Sequence, residues 1–364
     1  MTQRNPLQTR FPRRTLRSSA TTPGEADRRP SKKCRSVRSW AVSAGLAVVL
    51  AASFASAALA QRGGRAKLLS RFDLKGLTID RDEIYAGGPG KDGIPSLTRP
   101  ETLPVAKAPY RKKDRIVAVT VDERTRGYPL AVLNWHEVIN DVLADEPIAV
   151  IYCPLCDSVS VIDRRIGDKT LEFGVSGLLY NSNVLLYDRQ TNGLWSQLEM
   201  KAVSGPHVGK SPKHLPFRLL RFETFAERFP KARVVGVDTG HKRDYARNPY
   251  RRYFATQRTM FPVANRDIRL DTKDRVIGVK LDGRTRAYPL NVLRKDDDGK
   301  VVEKIGEAVV TLVVDDKGNT IRATASKGRV VHTFWFAWVA FYPKTSVYNP
   351  SSAEGATPSG TDDR

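Results

Sequence analysis

The sequence predicts a strand-rich α+β fold made of two related lobes that pack as one compact unit. Short β-branched runs bounded by Gly, Pro or Asp predict strands, and they lie at 116–121, 148–152, 159–162, 184–187, 234–237 and 308–314. Residues 114–133 and 274–293 are identical at 12 of 20 positions, with a constant offset of 160. This repeat predicts an internal duplication, and the scarcity of helical patterns predicts few helices.

Each copy of the repeat predicts a strand, a tight turn and a helix that opens at Tyr-Pro-Leu. Proline suits a first helical turn because its missing N–H has no partner there. The best helical pattern follows the first copy, from about Leu130 to Leu143, with apolar residues on one face. Residues 225–231 and 338–344 each predict a helix that proline ends before a strand.

The predicted organisation has five segments. They are a signal peptide at 1–60, a flexible linker at 61–79, a first lobe at 80–260, a shorter second lobe at 261–349 and a disordered tail at 350–364. The tail has no apolar residues to bury, which is typical of disorder. The first lobe carries the Cys-Pro-Leu-Cys segment, and the second copy has no equivalent of it.

The N-terminal segment predicts export. A basic region precedes an apolar run at 40–60 that ends Ala58-Leu59-Ala60, a pattern typical of a secretory signal peptide. We therefore expect cleavage before Gln61 and a periplasmic or extracellular protein. The alternative is an uncleaved N-terminal membrane anchor, since the run is just long enough to span a bilayer.

The charge is strongly positive and unevenly placed. The chain has 61 Lys and Arg against 39 Asp and Glu, a net +22. Residues 201–260 hold 14 basic and 4 acidic side chains. This basic segment predicts contact with an anionic surface or ligand, and the alternative is a solvated basic surface. No nucleic-acid-binding motif is present in the sequence.

Cys153 and Cys156 are the leading candidate site. The flanking runs are both strand-like, which predicts a turn between strands and disfavours the helix-borne redox arrangement. Two thiolates with His136 from the preceding helix would suit zinc or copper. The pair could instead form a disulfide or redox couple after export, or remain two inert buried thiols. The sequence leaves these alternatives open.

Polar residues that follow the cysteines are candidates for a pocket. Their alternative role is to form turns and to satisfy strand ladders. The candidates are Ser176, Asn181, Asp188, Arg189, Trp195 and Gln197.

Several segments together resemble the family of the domain of unknown function 3179, found mainly in bacteria and archaea. They are GGPGKDGIP at 87–95, YPL at 128–130, WHEVIND at 135–141, CPLC at 153–156, FGVSG at 173–177, YDR at 187–189, WSQ at 195–197, DTG at 238–240, RDY at 243–245, NPY at 248–250 and FWFAW at 334–338. The resemblance covers roughly residues 80–348. It implies that the Cys pair and His136 belong to the family pattern, and it implies no activity. Two departures are Tyr342, where the family has histidine, and an unusually basic 209–222 segment.

The sequence favours an exported protein that is metal-binding or thiol-active through Cys153, Cys156 and His136. Whether it is an enzyme stays open. The alternative is a non-catalytic binding module for an anionic or glycan ligand, in which the Cys pair forms a structural disulfide. A third possibility is an oxidoreductase or hydrolase with an unidentified substrate.

Overall fold

The computed structural model describes residues 64–281, 283–293, 300–314, 321–326 and 328–349. All of them belong to one compact unit, residues 58–364. The predicted signal peptide at 1–60 and the predicted tail at 350–364 lie outside the described residues.

The described chain is rich in strands, as the α+β prediction requires. The strands are β1 Ile84–Ala86, β2 Leu97–Thr98, β3 Thr102–Pro104, β4 Arg115–Val121, β5 Arg124–Pro129, β6 Val138–Leu143, β7 Glu146–Cys153, β8 Ser158–Asp163, β9 Arg165–Ile166, β10 Lys169–Thr170, β11 Phe173–Tyr180, β12 Asn183–Asp188, β13 Leu194–Ser196, β14 Lys201–Ala202, β15 Phe217–Arg221, β16 Arg233–Val235, β17 Arg275–Leu281, β18 Arg284–Pro289, β19 Lys300–Ile305, β20 Ala308–Val314, β21 Ile321–Ala325, β22 Arg329–Phe334 and β23 Ser346–Val347.

The helices are short. They are α1 at 64–69, α2 Leu130–His136, α3 Phe222–Arg228, α4 Arg251–Phe254, α5 Leu290–Leu293 and α6 Trp335–Phe341, with 3-10 turns at Arg81–Glu83 and Val105–Lys107. Both Tyr-Pro-Leu segments start a helix as predicted, since α2 begins at Leu130 and α5 at Leu290.

The strands form three main sheets. The first-hairpin sheet contains β4 and β5 and has the order β19-β20-β21-β15-β4-β5-β16-β3. The second-hairpin sheet contains β17 and β18 and has the order β2-β6-β7-β8-β22-β17-β18-β23. A five-stranded sheet has the order β1-β11-β12-β13-β14, and β9 pairs with β10 alone.

The two copies of the repeat form hairpins with the same register. In the first, Val121 pairs with Arg124 and Ile116 with Pro129. In the second, Leu281 pairs with Arg284 and Val276 with Pro289, so each pair is shifted by the same 160 positions. Further strands repeat the pattern, because β15 and β22 flank their hairpins antiparallel while β16 and β23 join them in parallel.

Each eight-stranded sheet draws strands from both predicted lobes, 80–260 and 261–349. β6, β7 and β8 follow the first hairpin in sequence, yet β8 pairs with β22 of the second-hairpin sheet. β19, β20 and β21 follow the second hairpin, yet β21 pairs with β15 of the first-hairpin sheet. The two halves of the chain are therefore interlocked, because the first contributes β2, β6, β7 and β8 to the second-hairpin sheet and the second contributes β19, β20 and β21 to the first-hairpin sheet.

In each hairpin a glycine lies against an aromatic side chain of a helix. This glycine is on the second strand of the first hairpin and on the first strand of the second hairpin. Ala118 pairs with Gly127 in the first hairpin, and Gly278 pairs with Ala287 in the second. A Cβ at Gly127 would lie 2.9 Å from the Phe225 ring, and one at Gly278 would lie 2.2 Å from the Trp338 ring. Glycine at these two positions leaves the space that the helix aromatic occupies.

The predicted long helix from Leu130 to Leu143 is wrong in its second half. Helix α2 ends at His136, Glu137 has a positive φ of 57°, and Val138–Leu143 is strand β6. Val138 and Ile139 are β-branched, fully buried and paired with β7. Tertiary pairing outweighed the helical spacing because the segment is covered on two faces.

Two hydrophobic clusters meet on opposite faces of the β6–β8 segment. Ile139, Val150 and Val161 pack with the first hairpin, whereas Ala149 and Ile151 pack with the five-stranded sheet and α6. This explains why these strands are buried on both sides, and it places Cys153 and Cys156 inside the larger cluster.

The described part of the predicted linker, 61–79, is packed onto the protein. Residues 64–69 are helical, and Leu69 and Phe72 are buried in a cluster with Tyr187 of β12. No helix among the described residues combines the length and the apolar character needed to cross a membrane.

Candidate functional site

Cys153 and Cys156 lie at a tight turn between two strands, as the sequence predicts. Cys153 is the last residue of β7 and pairs with Ser158, the first residue of β8. The N–H of Cys156 donates to the carbonyl oxygen of Cys153 at 3.2 Å. A hydrogen bond between residues i and i+3 defines a β-turn, which holds the two Cα atoms within about 7 Å.

Both cysteines are buried free thiols. The Cys156 thiol donates to the carbonyl oxygen of Ser182 at 3.4 Å and also interacts with the sulfur of Cys153. The carbonyl oxygen of Cys156 accepts from the N–H of Phe334 and the hydroxyl of Thr333. Since Thr333 and Phe334 end β22, the turn is attached to the second half of the chain.

The two thiols differ in acidity. Burial by itself would raise the pKa of Cys153. Hydrogen bonds from the Cys156 thiol and from the backbone N–H groups of Val184, Cys156 and Leu155 outweigh it and hold that pKa below its usual range. Burial, together with the charge and hydrogen bond of Cys153, raises the pKa of Cys156 well above its usual range. Cys153 is therefore the more acidic thiol of the pair, and Cys156 the less acidic one.

Glu137 places a buried carboxyl group beside Cys153. Its carbonyl oxygen accepts from the N–H of Tyr152 at 2.8 Å, which anchors it next to the end of β7. The residue is only 7% exposed. Burial, and then the negative charge of Cys153, raise the pKa of Glu137 well above its usual range. A carboxyl group in this position can hold the proton that the Cys153 thiol releases when it becomes a thiolate.

Two tyrosines of the segment that precedes and forms α4 cover the turn. The hydroxyl of Tyr253 donates to the carbonyl oxygen of Leu155 at 2.9 Å. Tyr250 is half-buried, and burial followed by the charges of Glu137 and Cys153 raises its pKa. The thiols therefore lie beneath aromatic side chains.

Both ring nitrogens of His136, the predicted third ligand of the sulfur site, make hydrogen bonds. Its Nδ1 lies 2.7 Å from the carbonyl oxygen of Pro95, and its Nε2 lies 2.7 Å from the hydroxyl of Tyr245. Burial lowers the pKa of His136 to about 4, so the ring is neutral at pH 7, with Nδ1 donating and Nε2 accepting. Among the described residues, no group of three or more His, Cys, Asp or Glu side chains could hold a metal ion.

Asp157 follows the turn and binds arginines from both hairpins. Its carboxylate accepts from Arg115 at 2.7 and 2.9 Å, from Arg275 at 2.6 Å and from the hydroxyl of Tyr152 at 2.8 Å. Burial would raise its pKa, but the two guanidinium groups lower it to about 2. Arg115 and Arg275 are separated by the offset of 160, so one carboxylate joins equivalent positions of the two repeats.

The sequence analysis missed Glu137, Asp157, Arg115 and Arg275 as neighbours of the thiols. A signal for the arginines was available, because both open the repeated segment directly after Asp114 and Asp274. Asp157 was also visible as the residue after Cys156. Glu137 lies near Cys153 because the chain reverses direction at residue 137. No pattern in the sequence predicts this reversal.

The predicted pocket residues are engaged inside the protein. Ser176 donates to the carbonyl oxygen of Leu185, Asn181 accepts from the N–H of Ala264, and Trp195 donates to Asp188. Arg189 binds Asp92, and Gln197 accepts from Ser158 and Asn183 beneath the turn. These contacts match the turn-forming and ladder roles that the sequence analysis gave as the alternative.

Comparison with known proteins identifies the family. The family model described as a protein of unknown function, DUF3179, matches residues 91–330. The chain belongs to this family. The matched DUF3179 region includes the Cys turn, Glu137 and both hairpins. No curated protein and no solved structure gives a significant match to this DUF3179 chain.

Proposed function

We propose that this protein is thiol-active, and that Cys153 and Cys156 interconvert between a dithiol and a disulfide. The observation that carries the proposal is the pair of buried free thiols at the two ends of one hydrogen-bonded β-turn. A disulfide needs Cα atoms about 4.4–6.8 Å apart, a demand that such a turn meets. The electron-accepting partner is a protein or small molecule that carries a disulfide.

The exchange uses the two thiols in sequence. The thiolate of Cys153 attacks one sulfur of the partner disulfide, and the first partner thiolate leaves. Cys156 then loses its proton and attacks the sulfur of Cys153, which releases the second partner thiolate. The pair is oxidised by two electrons and the partner is reduced by two. The proton that Cys153 lost to Glu137 and the proton of Cys156 end on the two partner thiolates, so that two partner thiols form.

Three features support this assignment of roles. Cys153 has the lowered pKa and Cys156 the raised one, which suits a nucleophile and a resolving thiol. Glu137 is a buried carboxyl with no side-chain hydrogen bond to any described residue, so its proton is free to move. His136 uses both ring nitrogens elsewhere. Zinc or copper at the pair stays a prediction.

The function is proposed to operate outside the cytoplasm. The predicted cleavage before Gln61 supports export, and an oxidising compartment allows a disulfide to form and persist. Cys34 would be removed with the predicted signal peptide, so the exported chain would keep only the pair.

We also propose that the chain arose by duplication. The matching hairpin registers, the matching flanking strands and the interchanged glycines support this origin. Tyr128 with Asp141 and Tyr288 with Glu303 repeat the same hydrogen bond in the two halves. The second half would then have lost its equivalent of the Cys pair.

A redox titration tests the function. The full chain with Cys34→Ser would be equilibrated in glutathione buffers, quenched, alkylated and weighed by intact mass spectrometry. We expect a single midpoint above about −300 mV, because disulfides with lower potentials are structural ones. A midpoint below that value would favour the alternative, a binding module in which the pair is a brace. No disulfide under any condition would refute thiol exchange.

The role of Glu137 has its own readout. Glu137→Gln should slow exchange with a small disulfide at least about tenfold and flatten its pH dependence, since general acid–base catalysis contributes about 10²–10⁴-fold. Glu303→Gln, in the other eight-stranded sheet, is the control and should leave the pH profile unchanged.

Zinc or copper that co-purifies with the parent and disappears in Cys153→Ser would instead support the metal-binding alternative.

A further inference from the structure

A basic cleft lies at the end of the first hairpin. It has a volume of about 590 Å³ and is formed by residues 123–126 of the hairpin and 228–233 at the end of α3. Its lining includes the cations Arg124, Arg228, Lys231 and Arg233. The apolar side chains of the lining are Leu143, Phe229, Pro230 and Ala232.

Most of the positive charge in this cleft is not neutralised. Arg126 is paired with Asp141 at 2.5 Å. Arg124, Arg228 and Lys231 are exposed, and no carboxylate of the described residues lies within 4.0 Å of their charged groups. Glu123 is the single acidic residue of the lining.

The second hairpin provides an internal comparison. Its cleft has a volume of about 260 Å³ and contains Arg284 and Arg286 at the offset of 160. Arg286 is paired with Glu303 at 2.9 Å, as Arg126 is with Asp141. Where the first half has Arg228 at the end of its helix and Arg233 beyond it, the second has Phe341 and Ser346. Lys231 has a counterpart in Lys344, and the second cleft contains Lys304. Arg228 and Arg233 are therefore particular to the first cleft, and the shared hairpin does not require them.

We propose that the cleft at Arg124 and Arg228 binds a phosphate ester, with its phosphate between the guanidinium groups and its carbon skeleton on Phe229 and Pro230. Guanidinium groups bind phosphate oxygens in pairs, which gives both charge and geometry. A cleft lined by both cations and apolar side chains fits a ligand with an organic part better than it fits a bare anion. The ester could be soluble or the headgroup of an anionic lipid, and the chemistry of recognition is the same.

Two matched double variants test the proposal. Arg124→Gln with Arg228→Gln removes two exposed charges from the first cleft. Arg284→Gln with Lys304→Gln removes two exposed charges from the second cleft and changes the net charge of the chain equally. Binding would be measured by calorimetry with fructose 1,6-bisphosphate, and by co-sedimentation with vesicles of phosphatidylcholine containing one-quarter phosphatidylglycerol. Lys231→Glu is a further variant that reverses an exposed charge.

We expect the parent to bind one of the two probes saturably. The first double variant should weaken that binding about tenfold or more, because charge-assisted hydrogen bonds are lost, and the second should change it less than about twofold. Binding of the soluble ester identifies a metabolite-like source, and binding of vesicles alone identifies a lipid source. Equal weakening by both double variants would show that net charge alone attracts the anion and would overturn the proposal. Binding of neither probe, or unchanged binding by Lys231→Glu and the first double variant, would overturn it too.

Discussion

Replacing Asp157 with asparagine should destabilise the whole fold, because this carboxylate joins both halves of the chain. Its side chain is fully buried and accepts from Arg115, Arg275 and the hydroxyl of Tyr152. Asp157→Asn keeps the shape and one acceptor oxygen, so the change isolates the charge. It leaves two guanidinium groups facing each other without a counter-ion.

The size of the effect follows from the burial and the pKa. The pKa of Asp157 is about 2 in the folded protein against an ordinary 3.8, a difference worth about 2 kcal/mol at neutral pH. Breaking a buried ion pair by removing one partner typically costs about 3–5 kcal/mol. The side chains of Arg115 and Arg275 are 28% and 44% exposed and retain some hydration. We therefore expect a loss of about 3 kcal/mol in the free energy of unfolding.

The assay is urea unfolding at pH 7 under reducing conditions, with Asp267→Asn as the matched control. Asp267 also pairs with an arginine, Arg269, but those side chains are 19% and 44% exposed. An exposed pair contributes about 0–1 kcal/mol, so the control should lose no more than that. A loss below about 1 kcal/mol for Asp157→Asn, or equal losses in the two variants, would refute the idea that this carboxylate holds the halves together.

Three further predictions follow from the described contacts and from the sequence. Stability should fall as the pH drops from about 6.5 towards 4, because burial lowers the pKa of His332 to about 4 and the unfolded chain takes up the proton first. Urea unfolding would give the free energy of unfolding at pH 7 and at pH 5. The decrease between the two should be about 2 kcal/mol larger in the parent than in His332→Gln. Tyr128→Phe should cost more than Tyr288→Phe, about 1–3 against less than 1 kcal/mol, because the carboxylate partner of Tyr128 is buried and that of Tyr288 is partly exposed; equal losses would contradict this. N-terminal sequencing of the exported protein should begin near Gln61, and retention of 40–60 in a membrane fraction would support the anchor instead.

Local patterns predicted β4, β7, β8, β12, β16 and β20, and the repeat predicted the turn of each hairpin but not its second strand. The repeat carries its own turn and helix-start residues, so Leu130 and Leu290 could be placed from the sequence alone. The error at Val138–Leu143 has a physical cause. A strand buried on both faces loses its alternating pattern, and a continuous apolar run does not distinguish a strand from a helix.

The interlocking of the two halves could not be predicted from the repeat. Periodicity assigns β6 to a strand or a helix, but it does not say which sheet β6 joins. The exchange requires β8 to pair with β22, which lies far along the chain, and the pairing of Val159 with His332 joins the two strands. The two lobes predicted at 80–260 and 261–349 were drawn from the order of the repeats, whereas the sheets follow non-local pairing.

The sequence predicted the two cysteines and the turn between them, but not the side chains that surround them. The Cys-Pro-Leu-Cys segment between two strand-like runs gave the turn correctly. The sequence suggested His136 as the third member because it lies one helix earlier. The chain reverses at Glu137, so that the carboxyl of Glu137 faces Cys153 while the ring of His136 meets Tyr245. The side chain near the sulfur is therefore that of Glu137, one position after His136.

The position of Asp157 also bears on whether the thiols are free to change redox state. A disulfide between Cys153 and Cys156 closes a loop of only four residues, so chain entropy limits its stabilisation to about 2 kcal/mol. The ion cluster of Asp157, directly after the pair, contributes more by the estimate above, and it does not depend on the sulfurs. The hydrogen bonds of the Cys156 carbonyl oxygen with Thr333 and Phe334 anchor the turn without involving either sulfur. The fold is held by the Asp157 carboxylate and by the backbone, so it does not need the disulfide. The pair can therefore exchange electrons without unfolding the protein.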